Sequence, residues 1–458
     1  MQTIVNQAYQ VLEQAVVHLR GEPVGTIASH DPAAPAPNYA EVFVRDFVPV
    51  GLVYLLDGRP EIVRNFLALV LDIRDQLETP DGHKTLPGVM PASFKMVERD
   101  GVEEVHADFG NRAIGRVAPV DSMMWWLILL RAYRRISGDD PFVARPEVQR
   151  GIRMILNLCL RDRYEVFPTL LVPDGAFMID RRMGVYGHPL EIQALFHSAL
   201  NAALELLALG DEEHGALRAM VAARRDELES YVRSYYWLDL ARLNQIHRYP
   251  TEVFGEEDNR NALNIHPESI PEWLLEWLPN EGGYMVGNVG PGRIDFRFFA
   301  QGNLLAALSG LMSTEHSRHL FNLYQARWDD LIGEMPVKIL YPAMEGEEWR
   351  LMTGCDPKNT PWSYHNGGNW PTILWPFVAA ASVHGRRDLA QKALDQAAAV
   401  LPGEQWPEYY DGIRGRLVGR RANFFQTWSA AALILAKKIL DDPEATVRLG
   451  LVAADEQG

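Results

Sequence analysis

Cysteine is close to absent: Cys159 and Cys355 are the only two among 458 residues. They are too few for a disulfide framework and lack metal-ligand spacing, so a reducing, cytoplasmic setting is expected. Positive charge is also in deficit, with a formal charge of −16. Nucleic acid and anionic membranes want clustered cations, so neither is expected as a partner, whereas a neutral small molecule is not repelled. No run of about eighteen uninterrupted apolar residues occurs, so no transmembrane helix is predicted. The opening MQTIVNQAYQVLEQAVVHLR lacks the basic start and unbroken apolar core of a signal peptide. There is no GxSxG elbow and no Walker sequence, and GNVGPG at 287–292 is spoiled as a phosphate cradle by Pro291.

What is present is helical periodicity. Apolar residues make up 47% and charged residues 23%, enough for an ordinary globular core. The spacing predicts helices near 4–20, 46–56, 60–78, 121–137, 146–160, 188–209, 212–236, 268–278, 299–310, 315–333, 369–384, 386–400 and 423–440. Strand signals are brief, at 176–179, 284–286 and 416–418, and no βαβ alternation appears. Helices paired by short turns point to helical hairpins closed into a toroid. The fold class expected is all-α, an (α/α)6 toroid with long loops and short β-hairpins on one face. A single domain over 1–458 is expected, with a frayed tail at 453–458. The best linker candidate, HDPAAPAP at 30–37, follows only a first helix.

The connections at 21–45, 80–120, 161–187, 247–267, 280–297, 335–368 and 401–422 are long and rich in Trp, Tyr, Phe, Gly, Asp and Asn. Loops this long inside a compact fold are usually functional or disordered, and this composition favours function. If alternate helix ends point the same way, the loops gather on one face around a funnel.

The densest of them is VPDGAFMIDRRMGVYGHPLEIQ, 172–193. Its Gly, Pro and Asp-Gly make a loop that presents Asp180, Tyr186, His188, Glu191 and Gln193 and feeds a buried helix at Pro189. Asp180 follows the apolar Phe177-Met178-Ile179. Burial would raise its pKa, as a general acid near neutral pH needs, while Arg181 and Arg182 would lower it. His188 and Glu191 stand three apart at the predicted helix start, hence on one face. That is also a metal-pair spacing, but nothing completes a ligand set, so no metal is expected. In EVFVRDFVP at 41–49, Asp46 beside Arg45 either caps the following helix or meets a ligand. PGVMPASFK at 87–95 and DFGNRAIGRVAPVDS at 108–122 are weak alone; Asp121 reads as the N-cap of the helix carrying Trp125 and Trp126. NTPWSYHNGGNWP at 359–371 sets Trp362, His365 and Asn369 around a Gly-Gly turn, where aromatic faces beside amides suit a sugar ring and its hydroxyls. The same aromatics would equally fill a core. WPEYYDG at 406–412 puts Glu408 among Trp406, Tyr409 and Tyr410: a candidate base, or a solvated loop acid. Two carboxyl groups facing each other across a funnel are what glycosidic hydrolysis requires.

Across VRDFVP, MPASFK, DFGNRAIGRVAPVDS, MIDRRMGVYGHPLEIQ, DFRFFAQGNL, YHNGGNWPT, WPEYYDG and QTWSAA, from 44 to 431, the chain resembles the alkaline/neutral invertases of glycoside hydrolase family 100, cytosolic sucrose hydrolases of cyanobacteria and plants. The resemblance implies an (α/α)6 toroid, hydrolysis of sucrose to glucose and fructose, no metal cofactor and a homo-oligomer. It assigns the general acid to Asp180 and its partner to Glu408. Family members read HNGGSWP where this chain has Asn369 in place of the Ser. On this reading Asp180 protonates the bridging oxygen and Glu408 activates a water at the fructosyl anomeric carbon. Inversion would set the two carboxyls about 6.5–9.5 Å apart, and a separation near roughly 5 Å would mark a covalent intermediate. Expected hydroxyl contacts are Arg45, Asp46, Asp121, Tyr186, His188, Glu191, Gln193, His365, Asn369 and Gln426, with Trp362 and Trp406 as stacking surfaces. Two rivals are a sugar epimerase using His188 and His365, and a non-catalytic sugar-binding protein in the same funnel.

Overall fold

The computed structural model describes residues 1–31, 37–74, 87–111, 117–161, 167–179, 181–208, 212–253, 260–290 and 293–452. Twelve of the helices among these residues build the body. They are α1 (Gln2–Gln14), α2 (Val44–Leu56), α3 (Pro60–Ile73), α4 (Ser122–Ser137), α5 (Pro146–Cys159), α6 (Leu190–Leu206), α7 (Glu212–Tyr235), α8 (Ala300–Leu308), α9 (Thr314–Ala326), α10 (Leu374–Val383), α11 (Arg387–Val400) and α12 (Thr427–Asp441). The even-numbered helices form a closed ring: α2 packs on α4, α4 on α6, α6 on α8, α8 on α10, α10 on α12, and α12 returns to α2. The odd-numbered helices lie outside, α1 against α12, α3 against α2, α7 against α6 and α11 against α10 and α12.

The sequence assigns each helix to its ring. Every residue of α8 is buried, as a helix enclosed on all sides must be. By contrast α1 buries only Ala8, Val11 and Leu12, one stripe of an amphipathic helix. The N-terminal ends of the inner helices meet at one end of the ring. Arg45 at the start of α2 reaches Asp121, the N-cap of α4. Gly302 in the first turn of α8 lies so close to α6 that a Cβ there would stand 2.8 Å from the Glu191 nitrogen. The other end is closed by the chain itself, where Leu449, Leu451 and Val452 are buried and Arg131 donates to the Gly450 carbonyl.

The all-α expectation needs amending, because antiparallel sheets decorate the toroid. The strands are β1 (Val16–Leu19), β2 (Glu22–Thr26), β3 (Val42–Phe43), β4 (Ser93–Arg99), β5 (Val102–Asp108), β6 (His188–Pro189), β7 (Trp237–Asp239), β8 (Gly283–Gly290), β9 (Arg293–Phe299), β10 (Leu340–Tyr341), β11 (Tyr410–Asp411) and β12 (Leu417–Val418). They pair as β1-β2, β3-β4-β5, β10-β9-β8-β6 with β7 also on β8, and β11-β12. The β4–β5 hairpin lies in a stretch read as loop: its apolar face is only Phe94, Met96, Val105 and Ala107, and its far end, from Glu98 to Glu104, is largely charged. The first helix stops at Gln14 and gives way to β1. The helix expected from 188 begins at Leu190, with Pro189 as its N-cap rather than its first residue. The strand expected at 176–179 reduces to a single bridge between Pro119 and Ala176.

Candidate active site

Four acidic side chains and one arginine gather where the inner helices begin. Arg45 Nη1 donates to Asp121 Oδ2 at 2.7 Å. Asp121 is the N-cap by position, but its carboxylate faces Arg45 and makes no capping bond. Asp46 lies in the first turn of α2 and Glu191 in that of α6, both buried. Burial pushes the Glu191 carboxyl up to about 8, with Asp121 adding repulsion against the Met178 N–H and Arg45. Burial likewise pushes Asp46 up to about 7, helped by the charges of Glu408 and Asp121 and opposed by Arg45. Burial raises Asp121 too, although Arg45 pulls it back. One guanidinium against several buried carboxyls leaves protons shared among them at neutral pH.

Glu408 arrives from the opposite end of the chain. It is 2% exposed, and its Oε1 accepts from the Tyr39 hydroxyl at 2.6 Å. Burial, then the Glu408 charge, raises the Tyr39 phenol well above 10, so it keeps its proton and acts as a fixed donor. The Glu408 N–H donates to the Asn423 carbonyl, and the Asn423 amide lies 3.4 Å from Oε2. The loops around it hold Tyr364, Gln405, Trp406 and Phe425 at positive φ, between 47° and 60°. Such conformations cost side-chain-bearing residues energy and persist where packing imposes them, commonly at working sites.

Asp180 itself lies outside the described residues. Its neighbours Met178 and Ile179 are buried, and the Met178 N–H donates to Glu191 Oε1 at 3.0 Å. The loop that carries Asp180 is thus tied to the carboxyl cluster.

The other expected contacts divide. Arg45, Asp46, Asp121 and Glu191 come together with Glu408. Gln426, the N-cap of α12, is wholly buried with neither side-chain amide atom partnered, and its backbone N–H donates to the Trp406 carbonyl. Gln193 is instead occupied: its amide accepts from Leu170 N and donates to Leu170 O, at 2.8 and 2.9 Å, clamping the preceding loop. Asn369 is fully buried, donating to the Ile332 and Met335 carbonyls and accepting from Lys338 Nζ at 2.9 Å. It is a brace under the Gly-Gly turn, not a hydroxyl contact. His188 stands on β6, not on a helix face with Glu191, and its Nδ1 meets Thr169 Oγ1 at 2.8 Å. Tyr186 is 49% exposed at the surface. His365 stacks on Tyr364 at 3.9 Å, and Trp406 is 3% exposed, leaving little face to offer a ligand. Trp362 lines a cavity whose walls include none of Arg45, Asp46, Asp121, Glu191 and Glu408, and its indole N–H is on Glu345.

Tyr39, after a Pro/Ala stretch of linker composition, and Asn423, three residues before Gln426, carry no motif of their own in the sequence. Among the described residues no group of three or more His, Cys, Asp or Glu is placed to hold a metal, and no helix is long and apolar enough to cross a membrane.

The family model described as alkaline and neutral invertase matches residues 8–443. Cytosolic invertase 1 of Oryza sativa subsp. japonica is 51% identical over 99% of this chain and 80% of its own. The probable alkaline/neutral invertase F of Arabidopsis thaliana is 49% identical over 99% and 91%. Among solved structures, the GH63 mannosylglycerate hydrolase of Thermus thermophilus in complex with Tris aligns over 94% of this chain and 99% of its own, with a TM-score of 0.56 at 13% identity. A bacterial glucoamylase complexed with acarbose aligns over 97% and 57%, with a TM-score of 0.53 at 11% identity. At such identities these two likenesses speak for the fold alone. A ring of inner helices whose first turns hold buried carboxyls, matched nearly end to end by one family, identifies this chain as a glycoside hydrolase belonging to the alkaline and neutral invertases.

Proposed function

We propose that the enzyme hydrolyses sucrose to glucose and fructose by general acid/base catalysis, with Asp180 as the acid, Glu408 as the base and inversion of configuration. The catalytic unit is a single domain spanning 1–458, working in the cytoplasm as a homo-oligomer without a cofactor. One observation carries the reading. Glu408 and the segment leading to Asp180, far apart in sequence, both border one cluster of buried carboxyls at the mouth of the ring. The Tyr39 proton holds Glu408 in orientation to draw a proton from water. Arg45, Asp46, Asp121, Glu191 and Gln426 supply mixed donors and acceptors, and the unpartnered amide of Gln426 suits a sugar hydroxyl.

Glucose release from sucrose, trehalose, maltose and raffinose in parallel tests the reading; sucrose should be the preferred substrate. Asp180→Asn and Glu408→Gln are each expected to remove most turnover while melting normally. Near wild-type release by either variant would end its role. Hydrolysis in 18O water shows which anomeric carbon is attacked, by labelling either fructose or glucose. Sedimentation of the purified enzyme reads the assembly, and fractionation of cells the compartment.

A second assignment of the acid is favoured by the neutral-range titration of Asp46 beside Glu408. If Asp46 were the acid, Asp46→Asn would abolish turnover while Asp180→Asn spared it.

A further inference from the structure

A cavity lined by other residues lies beside β9. It measures about 840 Å³, within the range of small-molecule sites, and none of Arg45, Asp46, Asp121, Glu191 or Glu408 lines it. Its walls include Trp273, Trp362, Arg297, Asp295, Glu345 and Glu348. The two indoles belong to one aromatic wall, joined by Tyr341, whose ring lies 6.2 Å from Trp273 and 5.9 Å from Trp362. Tyr341 is in turn stacked on Trp277 at 4.9 Å, so the wall is backed by core.

The polar side is as well defined. Arg297 is 6% exposed; its Nε donates to Asp295 Oδ1 at 2.8 Å and its Nη2 to Asp295 Oδ2. The remaining Nη1 is buried without a partner, an orphan that a ligand or water would satisfy. Glu345 and Glu348 are exposed at the rim. The charged side chains lining the cavity are two arginines, Arg293 and Arg297, against three carboxylates, Asp295, Glu345 and Glu348. An anionic ligand is therefore disfavoured. Carboxylates accept from hydroxyls, a guanidinium donates to them, and indole faces cover the apolar C–H surface between.

We infer that this cavity is a second carbohydrate site, which takes a neutral hexose or short saccharide against Trp273 and Trp362 with its hydroxyls between Arg297 and the glutamates. This goes beyond the hydrolytic reading, because the site would fill whether or not Glu408 is the base. Its place gives it a use. Strand β9, which carries Arg297, runs directly into α8, whose first turn packs on Glu191. A sugar held here would stand at the same end of the ring as the carboxyl cluster.

The test is calorimetric titration of the intact enzyme with glucose and, separately, with glucose 6-phosphate, for wild type, Trp273→Ala and Trp273→Phe. Trp273 is half-buried, and melting curves establish that the variants fold. We expect glucose to bind, Trp273→Ala to raise its Kd about fivefold, and Trp273→Phe to restore most of the loss. Identical isotherms for wild type and Trp273→Ala, no glucose binding at all, or tighter binding of the phosphate ester would each overturn the inference. Sucrose hydrolysis is followed on the same samples. No sucrose turnover by the wild type, with glucose binding intact, would count against the hydrolytic reading and not against this site.

Discussion

At the scale of single residues, the site is a problem of proton placement. Tyr39 is a donor that cannot ionise, and it holds one oxygen of Glu408. Hydrogen bonds to charged groups contribute about 1.5–3 kcal/mol, so Tyr39→Phe should lower kcat/KM roughly 10- to 100-fold and also lower the melting temperature, since it takes a donor from the buried Glu408. Steady-state kinetics with sucrose checks this; an unchanged kcat/KM would remove Tyr39 from the machinery. Glu191 makes the opposite case. A carboxyl raised to about 8 is costly to ionise where it sits, so Glu191→Gln is expected to stabilise the protein above pH 8, read by its melting temperature, while impairing hydrolysis.

Among elements, the helices were largely legible and the braces were not. The 3.6-residue spacing marks α2, α4 and α10 to α12 within a few residues, because inner and outer helices alike must bury an apolar face. The β4–β5 hairpin is hard to read because its apolar alternation is short, Phe94 and Met96 against Val105 and Ala107, before Glu98, Arg99, Glu103 and Glu104 take over. Asn369 was misassigned for a related reason: a polar residue beside glycines and tryptophans suggests a ligand, and only packing shows that backbone carbonyls use it first. Gly368 shares that crowding, since a Cβ there would lie 2.6 Å from the Tyr364 carbonyl. Asn369→Ala would leave the Lys338 ammonium and two carbonyls short of partners in a dry interior. It should destabilise by about 2–4 kcal/mol, measured by denaturant unfolding, with the catalytic carboxyls themselves untouched.

For the whole molecule, buried titrating groups set the response to pH. Asp46 and Glu191 have ordinary values of 3.8 and 4.5 and folded values of about 7 and about 8. The folded state therefore holds more protons than the unfolded one across that window, and stability falls as pH rises through it. Lys338, lowered by burial from 10.5 to about 7, works the other way and returns some stability between those values. Thermal melting from pH 4 to pH 10 should show the decline and partial recovery, and the double variant Asp46→Asn/Glu191→Gln should flatten the decline. The lower end of the ring offers a separate check. Truncation after Arg448 removes the buried Leu449, Leu451 and Val452 and should lower the melting temperature by several degrees.

Ring closure has one more consequence. The Tyr39–Glu408 bond spans 369 positions, Ser29 bridges to Gln426, and Thr427 donates to the Ala28 carbonyl. A nascent polypeptide leaving the ribosome can fold its early hairpins one by one, yet it has no assembled catalytic mouth until the last inner helix has been translated and docked beside the first. Chains released early from synthesis should therefore be inert rather than partly active, and catalysis should switch on only when α12 arrives.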